Sequence, residues 1–131
     1  MSQMSHRSPA ALMRHRGPAL LIDVIETCDG RTLGCTSRAA GLWPWPRMLE
    51  GAAQTAGLLA GMQPGGPGSS SVIAQYRDVI VHGEVQRGPL SFVAELDRRL
   101  LHFWRCRVEV RDESGRLLLE GRVTLAPGKD S

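Results

Sequence analysis

No apolar stretch in this chain reaches the roughly 20 residues that a membrane-spanning helix needs, so a helical membrane anchor is not expected. An apolar leader is missing too. The opening residues Met1-Ser2-Gln3-Met4-Ser5-His6-Arg7 are polar, with no apolar core behind them. They predict a disordered tail over residues 1–8 and no signal peptide. Cysteine is sparse. Cys28, Cys35 and Cys106 are widely spaced, odd in number and form no CxxC pattern. Such a set predicts reduced thiols, a cytoplasmic location and no zinc site.

A strong charge of one sign is also lacking. Sixteen basic residues stand against thirteen acidic ones, a net charge of +3. Nucleic-acid binders concentrate a basic stripe with interleaved aromatics, whereas the arginines here are scattered along strand-like runs. Neither nucleic acid nor a membrane is expected as a partner. The mild excess either steers an acidic partner surface or serves solubility. There is no internal repeat. What is present fits one domain with one core: 131 residues, 42 % of them hydrophobic. The domain is expected over residues 9–126, followed by a tail at 127–131.

Strand signals dominate the chain. Pro9 to His15 reads as one short helix, ended by Arg16-Gly17-Pro18. Ala19 to Thr27 reads as a strand rich in branched residues, Asp29-Gly30 as a hairpin turn, and Thr32 to Arg38 as the returning strand. Gly41-Leu42-Trp43-Pro44-Trp45-Pro46 carries two prolines and reads as an extended, unpaired loop. Beyond a Gly, Pro and Ser connection at 63–71, strands are expected over 72–81, 90–101, 102–111 and 116–126, with a bulge or turn at 83–89. Trp104, Cys106, Val108 and Val110 alternate with Arg105, Arg107, Glu109 and Arg111, the period of a half-exposed strand.

One long helix is expected, from Pro46 to Gly61. Pro46 suits a first helical turn, where its missing N–H costs nothing. The run is apolar almost all round, which predicts burial. It is also rich in small residues, among them Gly51, Ala52, Ala53, Ala56 and Gly57. A glycine inside a helix costs about 0.5–1 kcal/mol relative to alanine. Several of them predict close approach by another backbone, as from a curved sheet wrapped round the helix. Glu50 stands out in this run. A carboxylate inside a buried helix is costly unless partnered, which makes it a candidate for chemistry. The other reading is a first-turn residue near the positive end of the helix dipole. Strands interrupted by one early helix imply an α+β fold with a largely antiparallel sheet.

Three stretches resemble words of the 3-hydroxyacyl-ACP dehydratase family, whose fold is the hotdog, an antiparallel curved sheet wrapped round one central helix. His15-Arg16-Gly17-Pro18-Ala19-Leu20-Leu21-Ile22-Asp23 is similar to its opening "PHRxPxLLVD". Leu49-Glu50-Gly51-Ala52-Ala53-Gln54-Thr55-Ala56-Gly57 is similar to its central helix, "xEAMAQxAG". Val85-Gln86-Arg87-Gly88-Pro89-Leu90 is similar to its "VxPGDxL" turn. The likeness covers Leu12 to Ala126. It implies a dimer with acyl tunnels at the interface. It also implies a 3-hydroxyacyl thioester substrate on acyl carrier protein or coenzyme A, in fatty-acid or polyketide-type biosynthesis, with no cofactor and no metal. Glu50 falls on the family's helix carboxylate, and Gln54, four residues on, shares its helical face. Gly51 falls beside the backbone N–H groups that polarise the thioester carbonyl in that family.

The pattern departs at the loop before the helix. The family's catalytic histidine stands in "GHFPGxPxxPG", and Arg38 to Pro46 has no histidine. The shortened loop with its tryptophans is similar to a divergent branch of dehydratase-like proteins found with aryl-polyene and polyketide pathways. His82, at the end of a strand, and His15 are the candidate substitutes, whereas His102 and His6 suit the surface. Trp43 and Trp45 either shape an acyl or aryl pocket or pack at the dimer seam. Three functions follow: a dehydratase of modified type, an acyl thioesterase using Glu50 without a histidine, or a non-catalytic subunit paired with an active homologue.

Overall fold

The computed structural model describes residues 21–38, 41–66 and 71–128. Along them run β1 (Val24–Cys28), β2 (Thr32–Ser37), β3 (Leu42–Pro44), α1 (Trp45–Gly61), β4 (Ser71–Val81), β5 (Val85–Arg87), β6 (Leu90–Leu100), β7 (Phe103–Arg111) and β8 (Leu117–Pro127). Six strands form one antiparallel sheet in the order β1-β2-β6-β7-β8-β4, and β3 pairs with β5 in a separate ribbon. The helix packs on β6, β7 and β8 and reaches β4 at the edge. The expected α+β arrangement of a sheet around one helix is the arrangement found.

Alternation decides which face of the sheet is buried. Leu90, Phe92 and Ala94 of β6, Trp104, Cys106, Val108 and Val110 of β7, and Leu119, Val123 and Leu125 of β8 all point at the helix. They meet Met48, Ala52, Ala56 and Leu59 of α1. The intervening residues carry charge on the outer face. Arg77, Arg122 and Arg107 sit directly across from one another on β4, β8 and β7. Like charges in one cross-strand row repel, and acids relieve the row. Asp97 lies 3.0 Å from Arg105 and 3.7 Å from Arg122, and Asp78 lies 2.8 Å from Arg122.

The turns are built from acidic caps. Asp29 Oδ1 accepts hydrogen bonds from the backbone N–H groups of Arg31 and Thr32, and Gly30 takes a φ of +91° that a side chain would resist. Asp112 closes the last turn in the same way, accepting from the N–H groups of Ser114 and Arg116. The three cysteines are free and buried. Among the described residues no helix is long and apolar enough to cross a membrane, and no His, Cys, Asp and Glu cluster is placed to hold a metal ion.

Several expectations need correction. The Gly41–Pro46 stretch is not unpaired: Trp43 stands opposite Gln86 in the β3–β5 ribbon. A three-residue ribbon outside the main sheet tolerates Pro44 at its end because little is demanded of its N–H side. The same ribbon places a strand where a bulge or turn was expected. The approach to Gly51 is made by a side chain rather than a backbone, since a Cβ there would lie 2.7 Å from the Phe92 ring. Strand β8 continues to Pro127, one residue past the expected end. The opening strand begins at Val24 and runs to Cys28, so Leu21 to Asp23, expected in it, are not strand. The expected disordered tail, the short helix at 9–15 and the first two residues of the expected opening strand lie outside the described residues, as does most of the expected tail at 127–131.

Candidate functional site

The start of α1 is held from both sides. The N–H of Trp45 donates to the carbonyl of Glu84 at 2.7 Å, fixing the helix against the chain that follows β4. Pro46 occupies the second helical position, where no donor is needed. Just before the helix, Trp43 is fully buried, with its ring centroid 5.6 Å from that of Phe92. The Arg47 guanidinium lies 4.2 Å above the Trp43 ring and also donates to the carbonyl of Leu42 at 3.2 Å. The Trp43 indole N–H is buried and finds no acceptor among the described residues. Trp45, by contrast, is 41 % exposed. Of the two tryptophans offered for substrate contact, Trp43 is a core residue within one chain and Trp45 faces outward.

Glu50 is exposed, contrary to the burial expected of its helix. The helix lies across the middle of the sheet, most closely on β6, and the side bearing Glu50 is left uncovered. Among the described residues the Glu50 carboxylate makes no hydrogen bond and no ion pair. Its role therefore does not follow from desolvation. No side-chain cap closes the helix start either, so Glu50, in the sixth helical position, is not serving as one.

Gln54 does not orient Glu50 through its carbonyl. Its Oε1 accepts the N–H of Leu21 at 2.8 Å and so ties the segment leading into β1 to the helix. Gly51 lies six residues past the start of α1, where N–H groups are already committed to the helical ladder. What the glycine contributes is room for Phe92.

The histidines are not brought to Glu50. His82 Nε2 lies 2.8 Å from a carboxylate oxygen of Glu120. Glu120 pairs with Ile80, and the neighbouring pair Val81 and Leu119 points at the helix. His82 therefore sits on the outer face of the sheet, away from α1. His102 is exposed in the turn between β6 and β7. His15 and His6 lie outside the described residues.

Tyr76 is the residue that the strand pattern alone did not single out. It pairs with Val123, whose side chain is fully buried against the helix, so Tyr76 points to the helix face of β4. Partial burial, and after it the negative charge of Glu50, push the Tyr76 phenol above its ordinary value. The charge of Glu50 thus acts on the phenol and favours its protonated form, with no hydrogen bond between the two. Finding it requires the β4–β8 register, because β4 carries two irregularities, between Ile73 and Gln75 and between Arg77 and Ile80. Simple alternation cannot be carried through them.

Edge strand β4 is itself unusual. Val72, Ile73, Tyr76 and Ile80 are large, apolar or aromatic, and all exposed. An open edge of this kind is a template for pairing with another chain.

No family model matches the chain, and no curated protein matches it by sequence. Solved structures do match. The chain is similar to the dehydratase heterocomplex ApeI:P from Xenorhabdus doucetiae, with a TM-score of 0.79 and 16 % identity over 95 % of this chain and 94 % of that one. It is similar to a mutant thioesterase from Pseudomonas aeruginosa, with a TM-score of 0.67 and 14 % identity over 88 % of this chain and 96 % of that one. It is also similar to a thioesterase from Haemophilus influenzae, with a TM-score of 0.66 and 14 % identity over 82 % and 78 % of the two chains. At such identities the likeness is one of fold, and the chain has the hotdog fold, one helix packed against a curved antiparallel sheet.

Proposed function

We propose that this chain is a subunit of an acyl-thioester enzyme, a dehydratase of 3-hydroxyacyl thioesters in which Glu50 is the acid–base carboxylate. The observation that carries the reading is the place of Glu50. It is the one carboxylate on α1, it is unpaired among the described residues, and it faces the uncovered side beside β4. A thioester brought to that side would meet a free carboxylate on α1, with Ile73 and Tyr76 on the helix-facing side of β4.

The same side needs a second chain to exclude water. The exposed apolar residues of β4 favour pairing there, with another copy of this chain or with a homologous partner. The likeness to a dehydratase heterocomplex along nearly the full chain supports the second form of pairing. Free, buried thiols suit a cytoplasmic setting. The acyl group would arrive on acyl carrier protein or coenzyme A.

The test is mass spectrometry of the protein incubated with 3-hydroxyacyl and 2-enoyl thioesters on both carriers, beside Glu50→Gln. Gain or loss of one water that disappears in Glu50→Gln is the expected result. Free acid and free thiol in place of water exchange would make the protein a thioesterase, the activity named for several structures of this shape. Inertness on both carriers, with tight binding to a histidine-bearing homologue, would make it a non-catalytic subunit.

A further inference from the structure

The helix and the edge strand run side by side in opposite directions. At one end the Trp45 N–H is bonded to Glu84, just beyond the end of β4. At the other end Gly57 lies against the start of β4, where a Cβ would be 3.3 Å from Ser71 Oγ and 3.9 Å from Leu125. Glu50 precedes Gly57 by seven residues. At about 100° per residue that is about 20° short of two full turns, so both share the face turned toward β4. Glu50 thus lies roughly 10 Å back along the axis from Gly57. Tyr76 lies five residues after Ser71 on the helix-facing side, about 16 Å along the strand. On these rises Tyr76 lies about 6 Å further along the shared direction than Glu50, on the strand beside the same helix face. From β8 the neighbour of Tyr76 is the uncharged Val123, and its charged neighbour from the helix is Glu50.

Resting on the dehydratase reading above, we propose that Tyr76 is the second catalytic residue of the site, the acid that this chain uses where the loop histidine is missing. The Glu50 carboxylate removes the proton from C2 of the 3-hydroxyacyl thioester. The C2–C3 double bond forms as the C3–O bond breaks. The Tyr76 O–H gives its proton to the departing hydroxyl, which leaves as water. The enzyme is then left with a protonated Glu50 and a Tyr76 phenolate, and one proton passed from Glu50 to Tyr76 through solvent water restores both. No other reactant is needed, and the reverse sequence hydrates an enoyl thioester. A phenol held protonated serves as an acid over the whole neutral range.

The chain contains a single tyrosine, so near-ultraviolet absorbance of the phenolate reads Tyr76 alone. The experiment compares the whole protein with Tyr76→Phe and Glu50→Gln. Tyr76→Phe keeps the ring and removes only the hydroxyl. It should lower kcat for water exchange by about 100-fold or more with KM little changed. The Tyr76 titration midpoint should fall in Glu50→Gln, where the neighbouring negative charge is gone. Activity of Tyr76→Phe within a few-fold of the unaltered protein, with Glu50→Gln inactive, would overturn the role of Tyr76 and leave the dehydratase reading standing. A midpoint unmoved by Glu50→Gln would overturn the placing of the two residues in one site. Inertness of the unaltered protein would remove both readings together.

Discussion

Two glycines on α1, Gly51 and Gly57, should respond to the same substitution with opposite signs. In either place an alanine relieves the helix of roughly 0.5–1 kcal/mol of glycine's conformational cost. The difference lies in what the new methyl meets. At position 51 it would stand 2.7, 2.9 and 3.3 Å from Cε1, Cζ and Cδ1 of Phe92. Carbon atoms prefer about 3.5–4.0 Å, so the ring would have to retreat by most of an ångström. It has nowhere to go: Phe92 is fully buried, with Trp43 packed 5.6 Å away. Overpacking of this kind costs about 1–3 kcal/mol. Gly51→Ala should therefore destabilise by about 1–2 kcal/mol net, a fall in Tm on the order of 5 °C. At position 57 the methyl meets only the Ser71 hydroxyl at 3.3 Å, on a half-buried side chain at the strand end, and Leu125 at an ordinary 3.9 Å. Gly57→Ala should be neutral or stabilising by up to about 1 kcal/mol. Thermal and urea denaturation followed by circular dichroism, at one fixed protein concentration, would read both. Phe92→Leu added to Gly51→Ala should cost less than the sum of the single changes, because it opens the space that the methyl needs. A Gly51→Ala protein at least as stable as the unaltered chain would refute the packing argument. So would equal losses at both positions.

Other consequences concern the edge strand and the thiols. Ile73→Asp places a charge on the exposed, helix-facing side of β4. It should convert an associated protein to monomers in sedimentation at micromolar concentration, and unchanged mass would rule out pairing through this edge. Burial pushes the Cys35 and Cys106 thiols up from 9.0 to about 12. The folded state thus keeps protons that the unfolded chain gives up. Their contribution is fully present below pH 9.0 and is lost as pH rises toward about 12. Urea midpoints should accordingly fall above pH 9, and less steeply in Cys106→Ala. An aromatic disulfide reagent at pH 8 should find Cys35 and Cys106 unreactive until denaturant is added.

The functions of Glu50 and Tyr76 are read by water exchange and by the absorbance of the single phenol. Those assays and the denaturation series are independent. Gly51 and Phe92 lie in the core, whereas Glu50 and Tyr76 are exposed, so loss of stability and loss of chemistry can be told apart.

Much of the fold was written in local pattern. The alternation Trp104, Cys106, Val108, Val110 predicted both the strand and its buried face, because side chains on a pleated strand point to opposite sides in turn. Asp29-Gly30 predicted a tight turn because an aspartate oxygen can bond the N–H groups that follow and glycine accepts a positive φ. Pro46 and the small residues behind it predicted one helix, with its start correct to one residue. These are short-range effects of each residue on its own neighbours. The resemblance to the dehydratase words supplied the hotdog expectation, and the sheet order bears that out.

Only the tertiary structure decided what surrounds each side chain. An apolar helix was expected to bury Glu50, yet the sheet covers only part of the helix circumference and Glu50 is exposed. Burial of a whole element does not settle the burial of one residue on it, because that depends on where the partner surface ends. Trp43 in β3 and Trp45 at the start of α1, two residues apart, separate into a core residue and a surface one for the same reason. His82 lies on the far face of the sheet, and Tyr76 comes to the near one, through a strand whose two irregularities break the period of two. Sequence carries the kind of each residue and its local period. Register across strands, and the point at which the sheet stops, are set by contacts between residues far apart in the chain.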